Sequence, residues 1–70
     1  MVQLDDSVDA LDLPPRLQHM FHRENIAVIG DLTALHKWDL LSLPNFGTVS
    51  LDLVNAKLAE HGLSLREYSR

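Results

Sequence analysis

The chain has 70 residues, 46% of them apolar and 23% charged, with a formal net charge of −4 and no cysteine. That length allows one small domain, too apolar to stay disordered and too short for an enzyme cleft between two lobes. Disulfides are excluded, no apolar run approaches the roughly 18 residues of a membrane span, and the acidic first dozen residues resemble neither a signal nor a transit peptide.

The charge is unevenly placed. Asp5, Asp6, Asp9 and Asp12 fall in residues 1–12, which hold no Lys or Arg, and the remaining residues balance six acids against six bases. Residues 1–12 are therefore expected to form an acidic N-terminal arm on a neutral body. Pro14-Pro15 opens the first element, because proline suits a first helical turn whose N–H groups have no partner. Leu17, Met20 and Phe21 recur at i, i+3 and i+4, which predicts a helix with one apolar face running to about Glu24. Leu13 is placed to fold back on Leu17. The run Asn25-Ile26-Ala27-Val28-Ile29-Gly30 is rich in β-branched residues but has no second run to pair with. It reads as a buried connection into a short helix over 31–35, with Asp31 in the first turn.

A second short helix is predicted over 37–43, closed by Pro44. A tight turn at Asn45-Phe46-Gly47 follows, then the longest helix over 48–60. Gly62 stands where a left-handed cap belongs, Leu63 and Leu65 fold back on the core, and residues 66–70 form a fraying tail. The fold class is all-α: a compact body of four to five short helices over residues 13–65.

The segment from Leu40 to Leu51 reads as a helix-hairpin-helix: a short helix, a proline-led turn ending in glycine, and a long helix starting at once. The turn needs residues that tolerate positive φ, which Asn45 and Gly47 supply. The N–H groups opening the second helix then form an anion site for a phosphate oxygen. An ordinary αα-hairpin with a tight turn would look the same at this level.

Leu11-Asp12-Leu13 and Arg16, Glu24-Asn25-Ile26, Ile29-Gly30-Asp31-Leu32 and Asp39-Leu40-Leu41 are landmarks of a larger pattern. It continues through Pro44-Asn45-Phe46-Gly47, Ser50-Leu51 and Lys57-Leu58-Ala59-Glu60 to Gly62-Leu63-Ser64-Leu65. Over residues 8–65, in order and without gaps, the sequence resembles the C-terminal domain of the bacterial RNA polymerase alpha subunit. The resemblance implies a helical domain that holds the minor groove of upstream promoter DNA and touches activators and the sigma factor. The large assembly domain that precedes this region in the full subunit is not in the sequence, and the opening Met leans towards a free-standing paralogue over an excised domain.

Carried over residue by residue, the family's chief DNA-contacting arginine falls on Arg16, and its hairpin glycine and following serine fall on Gly47 and Ser50. An asparagine one turn after the arginine is His19 here. The lysines after the hairpin glycine are Thr48 and Val49, and a glutamate further along is Leu53. Two positive charges are missing from the DNA face that the family implies, so DNA binding is expected to be weak. The residues themselves offset part of that loss. At 100° per residue Arg16, His19 and Arg23 lie within about 60° of one another on the first helix, away from its apolar side. Arginine also suits a narrow minor groove. The expected DNA face is Arg16, His19, Arg23, Asn45, Gly47, Thr48 and Ser50. A solvated polar face has the same composition.

The last helix carries two apolar stripes. Leu51, Val54 and Leu58 suit the core, and Val49, Leu53 and Ala56 form a second stripe on the opposite side. That second stripe is a candidate surface for a protein partner or for a homodimer, unless the acidic arm or the tail covers it. Trp38 fits core packing, or else belongs with His36 and Asp39 to the face where the resemblance implies activator contact. His19 and His22 have metal-sharing spacing but no further ligand set, so neither a metal nor a cofactor is expected. No nucleophile–base pair, phosphate loop or paired acid motif appears, and catalysis is not expected. The sequence thus points to a non-catalytic cytoplasmic transcription module. It would bind DNA weakly, keep company with RNA polymerase, sigma factor or regulators, and have no membrane role. The rival reading is a protein-interaction module on the same fold.

Overall fold

The computed structural model describes residues 2–67 as four α-helices preceded by one 3₁₀ turn, Val8–Leu11. The helices are α1 (Pro15–Arg23), α2 (Ile29–Thr33), α3 (Lys37–Leu41) and α4 (Thr48–Ala59). No helix among the described residues is long and apolar enough to cross a membrane.

Residues 2–12, expected to form an acidic N-terminal arm, send two side chains into the core while most of the stretch stays exposed. Val8 and Leu11 are fully buried, because they alternate with the aspartates so that the carboxylates stay in water while the apolar groups reach the core. Ser7 Oγ caps the 3₁₀ turn by accepting the Asp9 N–H at 3.1 Å, and Asp12 ends it in a left-handed conformation (φ 59°). Backbone bonds from Val8 to Ala27, from Ile29 to Asp6 and from Gly30 to Leu4 tie this stretch to the β-branched run. That run therefore does have a partner, through a single isolated bridge between Ser7 and Val28.

In α1, Pro15 occupies the first helical position and Leu17, Met20 and Phe21 are buried. Burying Leu17 or Phe21 contributes about 1.5–3 kcal/mol each. The helix ends in a Schellman motif built on Asn25 (φ 63°): Ile26 N–H reaches Phe21 O at 2.8 Å and Asn25 N–H reaches His22 O at 3.2 Å. The same motif ends α4 at Gly62 (φ 71°), where Leu63 N–H reaches Leu58 O and Gly62 N–H reaches Ala59 O.

Two short helices share one starting device. The Asp31 carboxylate accepts the N–H groups of Ala27 and Val28 at 3.2 Å each, and the Asp39 carboxylate accepts that of His36 at 2.9 Å. Each aspartate is thereby the third residue of its helix. This places α2 two residues earlier than the expected 31–35. The helix expected over 37–43 stops at Leu41, where Ser42 Oγ donates to Asp39 O at 2.7 Å.

The hairpin between α3 and α4 carries its left-handed residue at Asn45 (φ 62°) and not at Gly47, which is extended (φ −122°, ψ −170°). Phe46, at the hairpin tip, is buried with its ring centroid 6.3 Å from that of Phe21. Leu51, Val54 and Leu58 form the core side of α4 as expected. Beyond it, Leu65 is buried and Arg66 donates its backbone N–H to Leu35 O at 2.9 Å, so the backbone is pinned at Arg66 where fraying was expected. Residues 68–70 of the expected tail lie outside the described residues.

Candidate nucleic-acid interface

Arg16 is the second residue of α1 and reaches two other parts of the fold. Its Nη1 donates to Asn45 O at 3.5 Å and its Nη2 to Ser50 Oγ at 3.3 Å. The first turn of α1, the hairpin and the first turn of α4 therefore meet at one guanidinium. Both acceptors are neutral. The ion pairs among the described residues are His22 with Asp9 and Lys57 with Glu60, so the charge of Arg16 is not spent on a carboxylate there.

The hairpin contributes bare backbone. Gly47 precedes α4 and supplies no capping group, and a Cβ built on it would meet nothing within 4 Å. The first N–H groups of a helix have no intrahelical partner, and Thr48 and Val49 in that first turn are exposed. An anion arriving between Arg16 and Gly47 would meet a positive guanidinium and a helix N-terminus together.

The other members of the expected face divide. His19 and Arg23 are exposed on α1 one and two turns beyond Arg16, extending the basic stripe. Asn45 takes part through its backbone carbonyl. Ser50 is only 6% exposed, with its hydroxyl bonded to Arg16. Neighbouring His22 turns to Asp9, with Nε2 and Oδ1 3.2 Å apart, and so braces α1 against the 3₁₀ turn. Among the described residues no group of three His, Cys, Asp or Glu is placed to hold a metal ion.

The second apolar stripe of α4 is not continuous. Val49 is 82% exposed and Ala56 is exposed, but Leu53 is half-buried against the core. At 100° per residue Leu53 lies about 40° nearer than Val49 to the centre of the Leu51/Val54/Leu58 face, which brings its isobutyl group to the core's edge.

Trp38 is not a core residue: it is 54% exposed, with Lys37 Nζ 5.1 Å from its ring centroid. The buried residue of α3 is Leu40, and a residue two positions earlier points about 200° away from it. Trp38, with His36, lines a cleft of about 480 Å³ between the start of α3, Asn55 of α4, and the returning segment 64–66. Asp39, the third residue of this expected face, spends its carboxylate on the His36 N–H.

The long-range contacts of Arg16 with Asn45 and Ser50 have no signal in the sequence, since 29 and 34 residues separate the partners. For the Asp9–His22 brace the only signal is the concentration of aspartates ahead of a histidine-bearing helix.

Residues 2–60 match the family model for the C terminal domain of the bacterial RNA polymerase alpha chain. Among curated proteins the sequence is similar to the DNA-directed RNA polymerase subunit alpha of Arthrobacter sp. (strain FB24), with 43% identity over 60 residues, and of Nocardioides sp. (strain ATCC BAA-499 / JS614), also with 43%. The subunit from Acidothermus cellulolyticus is 42% identical over the same length. In each case the match takes in 86% of this protein and 18% of the relative, so it spans under a fifth of those subunits. The match runs through Arg16, the hairpin and α4, and with the all-helical architecture it establishes that this chain belongs to the family of C-terminal domains of the bacterial RNA polymerase alpha subunit.

Proposed function

We propose that this domain is a non-catalytic transcription module, working in the cytoplasm, that holds DNA weakly through its Arg16 face. The observation that carries the reading is the setting of Arg16: its guanidinium is held by two neutral acceptors from two other elements, beside an uncapped helix N-terminus, with its charge unpaired among the described residues. Arg16 is the minor-groove and phosphate contact, His19 and Arg23 are accessory donors, and the backbone of Asn45, Gly47 and Thr48 receives a phosphate oxygen. The face with His36, Trp38 and Asp39 is the docking side for RNA polymerase, sigma factor or a regulator; exposed Trp38 and its cleft support that assignment.

The test is a titration of labelled A·T-rich duplex at two salt concentrations. Neutralising two phosphates gives a log–log slope of about −1.8, so affinity should fall roughly twelvefold between 50 and 200 mM salt. A salt-independent affinity would remove this reading.

Val49 favours a second one. A valine 82% exposed in the first turn of α4, where the family resemblance implies a charge, suits a protein contact or a homodimer through Val49, Leu53 and Ala56. Sedimentation over a range of concentrations decides whether that contact is a second copy.

A further inference from the structure

Arg16, His19 and Arg23 share the exposed side of α1. At about 100° and 1.5 Å per residue, His19 stands roughly 60° round the helix and 4.5 Å along it from Arg16, and roughly 40° and 6 Å from Arg23. A phosphate backbone laid along this stripe passes the imidazole between two guanidinium groups. Arginine stays charged in a protein, whereas histidine changes charge between about pH 5 and 8. The stripe therefore carries two fixed charges and one that depends on the medium.

The surroundings of His19 leave its ring to the ligand. Among the described residues it makes no hydrogen bond and no ion pair. The other histidines are differently placed: His22 turns to Asp9, His36 lines the cleft beside Trp38, and His61 follows α4. On α1 itself the charged neighbours are Arg16, Arg23 and the capping Glu24. Three other parts of the fold meet this helix. The 3₁₀ turn brings Asp9, which His22 engages, and Asp12. The hairpin over 42–47 has no titratable side chain. From α4 and its cap come Asp52, Lys57 and Glu60, of which the last two pair with each other at 3.9 Å. None of these carboxylates lies within 4 Å of a His19 ring nitrogen.

We infer that DNA binding by this domain is coupled to protonation of His19, whose imidazolium is the third positive group of the stripe. The inference rests on the reading of the Arg16 face as the DNA face and adds its regulation by pH. A charged imidazole donates from both ring nitrogens, a neutral one from a single nitrogen. Phosphates brought against the ring favour the charged form. Binding therefore takes up a proton, so affinity rises as pH falls and levels off once His19 is charged in the free protein as well. The asparagine that the family resemblance places at this position could donate to a phosphate but could not change its charge.

The experiment reads anisotropy of a labelled A·T-rich duplex with the full 70-residue protein at pH 6 and pH 8, each at 50 and 200 mM salt. Wild type should bind several-fold more tightly at pH 6 in 50 mM salt. One added phosphate contact steepens the log–log salt slope by about 0.9, so the gain at 200 mM should be smaller by up to about 3.5-fold. His19→Asn should lose both the gain and the change of slope. His22→Asn and His61→Asn, which remove a histidine away from the stripe, should keep both. A gain that survives in His19→Asn, or falls equally in all three variants, would mean diffuse attraction to a more positive protein, and the inference would fall. An equal affinity of wild type at the two pH values would also overturn it. Thermal unfolding at each pH confirms that every variant is folded.

A second measurement reads the ring itself. The carbon-bound ring protons of His19, assigned by their absence in His19→Asn, are followed by NMR across the same pH range without duplex and with duplex in excess. The midpoint of their titration should move to higher pH when duplex is present, and an unmoved midpoint overturns the coupling. Arg16→Ala separates the two readings. At pH 8 it should weaken binding roughly tenfold or more and flatten the salt slope by about one unit. If it leaves both intact, the Arg16 reading fails, while the His19 titration still decides whether the imidazole meets DNA.

Discussion

Placing a positive charge at Val49 tests the location of the DNA face more sharply than removing one. Val49 is 82% exposed in the first turn of α4, beside Gly47 and one residue before Ser50, so a lysine there has room and sacrifices little buried surface. Lysine is a better helix former than valine, which offsets a cost of about 0.3–1 kcal/mol for a cation near a helix N-terminus. Stability should therefore stay within about 1 kcal/mol of wild type. One added phosphate contact steepens the log–log salt slope by about 0.9, so a fourfold rise in salt should cost Val49→Lys about 3.5-fold more affinity than it costs wild type. The control is Ala59→Lys, exposed at the far end of the same helix, roughly 15 Å away at 1.5 Å per residue. It adds the same net charge without the same place. Anisotropy titrations at 50 and 200 mM salt read both. Equal steepening in the two variants would mean diffuse attraction and no defined face. No steepening in Val49→Lys, with the fold intact, would remove the α4 N-terminus from the interface.

Three further outcomes follow from the structure. Arg16→Ala should cost about 1–3 kcal/mol of DNA affinity while urea midpoints move little, since the residue is exposed and its bonds are long; a large stability loss with unchanged affinity would reverse its role. Gly62→Ala should destabilise by about 1–2 kcal/mol, because φ is 71° and nothing lies within 4 Å of the new Cβ, leaving backbone conformation as the whole cost; an unchanged urea midpoint would refute the Schellman cap. Phe46→Ala should cost about 3–5 kcal/mol, a large part of the few kcal/mol a domain this size holds, and should erase most of the cooperative thermal transition in circular dichroism; a retained transition would mean the hairpin tip is not part of the core.

How much is legible in the sequence depends on whether the deciding interaction is local. The body of α1 is readable because Pro15, Leu17, Met20 and Phe21 carry its start and its buried face within seven residues. The form of its end is not, because Asn25 takes the left-handed position more often held by glycine. The start of α2 turns on one carboxylate: Asp31 does lie in the first turn, but its bonds back to Ala27 and Val28 draw the helix start to Ile29. Pro44 and Gly47 locate the hairpin, yet the positive φ goes to Asn45 alone. Val8 and Leu11 are hidden by composition, which the aspartates around them dominate, whereas burial is decided one residue at a time. The candidate site is half visible. Arg16, His19 and Arg23 share a helix face and can be grouped by periodicity, but the junction of Arg16 with the hairpin and α4 is made only by the tertiary fold.

Phe46 stands between the carbonyl that holds Arg16 and the glycine that opens α4, and its ring is sunk against Phe21 from the same helix as Arg16. The surface proposed to meet DNA is thus bolted to the interior at its midpoint. Moving the turn to accommodate a partner would mean withdrawing an aromatic ring from the core, so docking should proceed as a rigid body with no folding step to slow association. The thermodynamic signature is plain mass action: duplex at a hundred times its dissociation constant should raise unfolding free energy by about 2.7 kcal/mol. The shape of the thermal transition should stay the same, with the whole curve moved to higher temperature.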